Sequence, residues 1–130
     1  MLTPNSTTEL ERLSIIPTPE SILSAQQALL GLIPEITANN PRVVQQQSLP
    51  EGGGQGIVVE KGRISYLRGF EVDDVVHEVE VTPEGIHVYE EERGHAYYYG
   101  DGVDGVWDAG ITLLAEGLQK IATTLVDFSK

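Results

Sequence analysis

The sequence predicts an α+β fold: an antiparallel β-meander of about five strands, preceded by N-terminal helices, with a long C-terminal amphipathic helix packed on the sheet. Three observations carry this. Trp107, Ile111, Leu114, Leu118, Ile121, Leu125 and Phe128 recur at alternating spacings of four and three, one continuous apolar seam. Residues 57–99 fall into short runs of period-two alternation, separated by glycine- and proline-bearing turns. Two helix-start signals precede both features.

The first start signal is Ser6-Thr7-Thr8-Glu9, which has the form of a capping box with Ser6 as N-cap. It predicts a short helix with Leu10 and Leu13 on one face, ended by Pro17. The second is Thr18-Pro19-Glu20: Thr18 caps, Pro19 brings a preset φ to the first helical position, and Glu20 suits the positive end of the dipole. Ile22, Ala25, Leu29 and Ile33 follow at helical spacing. Gly31 and Pro34 should end or kink this helix near Leu32.

Residues 42–48 read as an edge strand with little hydrophobic pattern, and 50–54 as a flexible glycine loop. A hairpin is expected from 57–60 and 63–70 around Lys61-Gly62, then strands at 75–82, 86–91 and 95–99. The heptad-like spacing of the last helix would also suit a coiled coil. An antiparallel meander must cover one face, however, which favours packing on the chain's own sheet.

The 130 residues fit one domain, 1–130, and no apolar run approaches a membrane span. There is no cysteine, hence no disulfide, thiolate metal site or cysteine nucleophile. With a polar, acidic beginning that shows no secretory signal, these features point to the cytoplasm, and would equally suit a chain whose leader has been removed.

Charge is the informative total. Eight basic residues stand against 20 acidic ones, a formal charge of −12. That disfavours nucleic acid and anionic membrane surfaces as partners, since both require a basic footprint. Residues 71–108 hold 12 of the acids and one base, Arg93. Self-repulsion in such a segment calls for an offset, and cations are the simplest one.

The most cation-friendly stretch is the loop Gly100-Asp101-Gly102-Val103-Asp104-Gly105-Val106-Trp107-Asp108. Calcium takes 6–8 oxygens from carboxylates, carbonyls and water, and the glycines free the backbone to supply carbonyls. Asp101, Asp104 and Asp108 are the candidate ligands, with Asp73, Asp74 and Glu91 as candidates from neighbouring acidic runs. The spacing is not that of an EF-hand, and Asp104 equally suits the N-cap of the last helix.

A second candidate set depends on strand register. If Thr82 opposes Gly85, His77 faces Glu90; if Glu91 opposes Gly94, Glu90 faces His95, and all three lie on one sheet face with Val75, Val79, Val81, Ile86, Val88, Tyr97 and Tyr99. The trio would suit a transition metal or acid–base work, and a one-residue slip would dissolve it. His87 and Tyr89 should then lie on the opposite, solvated face with Glu78, Glu80 and Glu91. No serine elbow, zinc-protease helix or dinucleotide fingerprint is present, so no enzyme class is indicated.

In size, acidity, layout and the acidic Gly/Asp loop with Asp101, Asp104 and Asp108, the chain resembles the small acidic calcium-binding protein of heterocyst-forming cyanobacteria. The resemblance implies a non-enzymatic calcium-sequestering regulator; it assigns no ligand residue by residue. The sequence thus leads to Ca2+ as cofactor and to a buffer or regulator as function. The alternative is an acidic interaction module, an immunity-type inhibitor or adaptor, meeting a basic protein partner.

Overall fold

The computed structural model describes residues 2–69, 74–99 and 108–129. Helix α1 (Pro4–Arg12) is capped by Thr3, whose hydroxyl accepts from the Ser6 N–H at 3.2 Å. The cap expected at Ser6 therefore sits three residues earlier, where Pro4 brings its fixed φ to the first turn. The Ser6 hydroxyl instead donates to Glu35 Oε1, at 3.0 Å.

Helix α2 (Pro19–Gly31) starts as the sequence predicts, with the Thr18 side chain accepting from the Ser21 N–H. It breaks at Leu32, and α3 (Ile33–Ile36) carries Pro34 in its first turn. Among the described residues no helix is long and apolar enough to cross a membrane.

Six strands, one more than the approximate expectation, form a single antiparallel sheet in sequence order: β1 (Arg42–Ser48), β2 (Gly54–Glu60), β3 (Arg63–Gly69), β4 (Val75–Thr82), β5 (Gly85–Glu90) and β6 (Gly94–Tyr99). The glutamine-rich edge is a full strand because backbone pairing from Arg42↔Glu60 to Ser48↔Gly54 holds it, whatever its side chains. That pairing also draws Gly54 out of the expected loop and starts β2 three residues before the expected Ile57. Gly62, at φ +75°, completes the two-residue turn between β2 and β3. The register slips between Arg68 and Gly69, where β3 meets β4.

Helix α4 (Asp108–Ser129) lies on one face of this sheet. Leu114, Leu118, Ile121 and Leu125 of the expected seam are fully buried there. They meet Ile57, Val59, Ile64, Tyr66, Val79, Val81, Ile86 and Val88 from the strands, all buried. The seam thus serves the chain's own sheet. Helix α2 joins the same layer through Ile22, Ala25 and Leu29, and its buried Gln26 donates to the Thr82 carbonyl at 2.7 Å. The helices cover one face of the sheet. The other carries Val44, Leu67, Tyr97 and Tyr99 as exposed large apolar side chains.

Candidate functional site

Of the expected calcium ligands, Asp73, Asp101 and Asp104 lie outside the described residues. Asp108 opens α4, with its side chain outside that description. Asp74, before β4, and Glu91, in the turn after β5, are both exposed. Among the described residues no three histidines or carboxylates gather into a metal-binding group. The acids there are dispersed instead. Glu78 and Glu80 stand on the uncovered face and Glu84 is exposed in a turn. Glu90 is tied to Arg93, which also reaches Glu116 on α4. That hydrogen bond holds the Glu90 carboxyl below its ordinary range.

The expected histidine row is half formed. His77 does face Glu90, because Thr82 pairs with Gly85. His95 does not join them: Glu90 pairs with Gly94, and His95 with Tyr89. The turn holds three residues rather than two. The Arg93 N–H donates to the Glu90 carbonyl at 3.1 Å, and Gly94 follows at φ +85°, a left-handed position that glycine fills without strain. This one-residue difference puts His95 on the opposite face.

His77 is left on the helix-covered side, edge-on to Tyr66 with ring centroids 5.7 Å apart. Its Nε2 is buried without a hydrogen bond, and burial pushes the imidazole pKa down, against the pull of Glu90. The same burial raises the Tyr66 phenol to about 12, and its hydroxyl donates to Gln55 Oε1 at 2.9 Å. His77, Glu90 and Arg68 border a cleft of about 200 Å³. Glu90 is turned to Arg93 and Arg68 to Glu51, at 2.8 Å, so these two charged groups already have partners, while Glu91 and Glu92 line the cleft from its exposed rim.

The uncovered face offers more. Cross-strand pairing lines up two rows of side chains: Val44, Val58, Ser65, Glu80, His87 and Tyr97, and beside it Gln46, Gly56, Leu67, Glu78, Tyr89 and His95. Tyr99 extends the aromatic end. His87 stacks on Tyr97 at 4.6 Å with planes 11° apart, and Tyr89 leans on His95 at 4.8 Å. Along β6, His95, Tyr97 and Tyr99 hold their rings parallel within 7°, at spacings of 6.0 and 6.3 Å.

These rings are open to solvent: Tyr99 is 60% exposed and Tyr97 46%, with Leu67 at 44% and Val44 at 41%. Scattered exposed hydrophobics are ordinary, whereas a contiguous apolar patch with a polar surround marks an interaction surface. The contiguous part here is the ring cluster of Tyr89, His87, His95, Tyr97 and Tyr99 on β5 and β6, bordered on β4 by Glu78 and Glu80, with Leu67 and Val44 apart beyond them. Arg63 approaches Glu80 at 3.7 Å and Glu60 at 3.9 Å, while Glu78 has no ion pair among the described residues. Negative charge is therefore least compensated beside Tyr89 and His95. The sequence reading missed this surface because it placed Tyr97, Tyr99 and His95 on the covered side. The signal that could have placed them was Gly94, read as the left-handed residue closing a three-residue turn.

No family model matches this chain, and neither curated proteins nor solved structures yield a match.

Proposed function

We propose that the chain is a non-enzymatic interaction module whose uncovered sheet face takes a basic partner protein, in the manner of an inhibitor or adaptor. The observation that carries this is the exposed aromatic array of Tyr89, His95, Tyr97 and Tyr99 set beside Glu78 and Glu80. Arginine and lysine side chains can lie on such rings while their charged ends meet the carboxylates. An exposed cation–π contact contributes about 0.5–1 kcal/mol. The charge of −12 would speed encounter with a basic partner and orient it more than hold it. A cytoplasmic setting belongs to the same reading.

A peptide of alternating arginine and glycine is a suitable probe. It should bind the intact chain with an affinity that falls as salt rises. Replacing both rings (Tyr97→Ser with Tyr99→Ser) should weaken binding about tenfold, as the loss of two such contacts implies. The melting temperature should stay unchanged, because both rings are exposed. Equal affinity in the double variant would sink the proposal.

Calcium binding remains a second reading, supported by the concentration of acids in residues 71–108 and by the resemblance to the calcium-sequestering family. It rests on Asp73, Asp101, Asp104 and Asp108, since the described acids do not converge. Calcium relative to chelator should then raise the melting temperature, and Asp104→Asn combined with Asp108→Asn should abolish most of that rise. An identical melting temperature with calcium and with chelator would rule this reading out.

A further inference from the structure

We infer that His87 and His95 form a two-imidazole site for a late first-row divalent metal ion, Cu2+, Ni2+ or Zn2+, on the uncovered sheet face. His87 Nε2 lies 2.8 Å from His95 Nδ1. The ring planes differ by only 10°, and the centroids are 5.1 Å apart. A face-to-face pair would bring its centroids closer than that while keeping its nitrogens apart. The numbers describe two rings in nearly one plane, meeting nitrogen to nitrogen. In that arrangement the in-plane lone-pair directions of the two atoms face each other and meet at one point on the line between them. A single proton occupies the point when both rings are neutral, on whichever nitrogen donates.

A metal ion can replace that proton. Zinc–imidazole bonds run about 2.0–2.1 Å, so two such nitrogens on one ion stand roughly 2.9–3.4 Å apart, from right-angled to tetrahedral shells. The observed 2.8 Å needs an opening of a few tenths of an ångström, and each ring must also turn by roughly 35–45° so that its lone pair leaves the N···N line and aims at an ion standing off it. His95 is exposed and His87 half-buried on a face no described element covers, which leaves room for both rings to turn. Tyr97 backs His87 and Tyr89 backs His95, so the pair is held from the sides and open above. Burial is the largest influence on His87 and lowers its pKa, while Glu78 and Glu80, like the chain's overall charge, set negative charge beside the pair. Water completes the shell, since two protein ligands converge among the described residues. Imidazole suits copper, nickel and zinc, whereas calcium prefers oxygen. The inference is independent of the partner-binding reading: the metal alone is the ligand.

Titration of the intact chain with each ion, followed by calorimetry, tests it. One ion per chain should bind through this pair, tightest for Cu2+. Its affinity should fall at least about tenfold in His87→Gln and equally in His95→Gln, as expected when one of two ligands is lost. Excess calcium should leave it unchanged. His77→Gln should bind as the unaltered chain does, because His77 lies on the other side of the sheet. Both test positions are at the surface, and unaltered melting temperatures would confirm that the variants fold. Binding that survives either substitution, or no detectable binding with metal in large excess, overturns the assignment.

Discussion

Gly85→Ala is expected to cost about 3 kcal/mol of folding stability, the upper end of ordinary overpacking penalties. Gly85 opens β5 and pairs with Tyr99 at the sheet's edge. A Cβ there would lie 2.3 Å from the Tyr98 carbonyl oxygen and 3.3 Å from the Tyr99 ring. The obstacle at 2.3 Å is backbone, so no rotamer change relieves it. Either β6 moves away and loses its pairing, or β5 shifts and drags the turn at Pro83. Gly85 is not among the glycines at positive φ, so the cost is steric rather than conformational. Urea unfolding of the variant should show the loss as a lower midpoint. Glu84→Ala, an exposed change in the same turn, should stay within about 0.5 kcal/mol of the parent. A loss below about 1 kcal/mol in Gly85→Ala would mean that the strands are not packed this closely.

The second large effect sits on α4, where two glycine substitutions should move stability in opposite directions. Alanine in place of glycine inside a helix gains roughly 1 kcal/mol from backbone entropy alone. At Gly110 a new Cβ would be 3.7 Å from Ala96 Cβ, ordinary contact, so Gly110→Ala should realise much of that gain. At Gly117 the same atom would meet Val88 Cγ2 at 2.7 Å and Val79 Cγ2 at 3.2 Å. Both valines are fully buried and stiff at χ1, so they cannot swing aside. Gly117→Ala should therefore lose about 1–2 kcal/mol net, overpacking exceeding the propensity gain. If both variants were stabilised, the close seat of α4 on β4 and β5 would be wrong.

What the sequence made legible follows from which physical signal each element carries. The apolar seam of α4 and the capped start of α2 were readable because period and cap chemistry are local. The same holds for the Thr82-Pro83-Glu84-Gly85 turn, whose threonine hydroxyl bonds Gly85. β1 was harder: Gln45, Gln46 and Gln47 carry no alternation, and only the neighbouring strand defines their conformation. The α1 cap was misplaced because Thr3 and Ser6 are both competent, and Pro4 decides between them. The proposed interaction surface hung on one residue of register. Glu91-Glu92-Arg93-Gly94 is compatible with a turn of two or three residues, and period-two patterning around it is ambiguous because tyrosine and alanine suit either face. Charge totals are a different kind of signal, since a count of acids along the chain does not say whether they converge.

The length of that turn has a reach well beyond the hairpin. Side chains alternate along β6, so an insertion or deletion of one residue at 91–93 would exchange its two sets. Tyr97 and Tyr99 would be driven under the helix, and Ala96 and Tyr98 would be turned to water. Gly110 lies close enough to Ala96 that a tyrosine in its place would lift α4 off the sheet. The seat of the helix and the chemistry of the outer surface are therefore set by a single integer, and neither can be altered through this turn without the other.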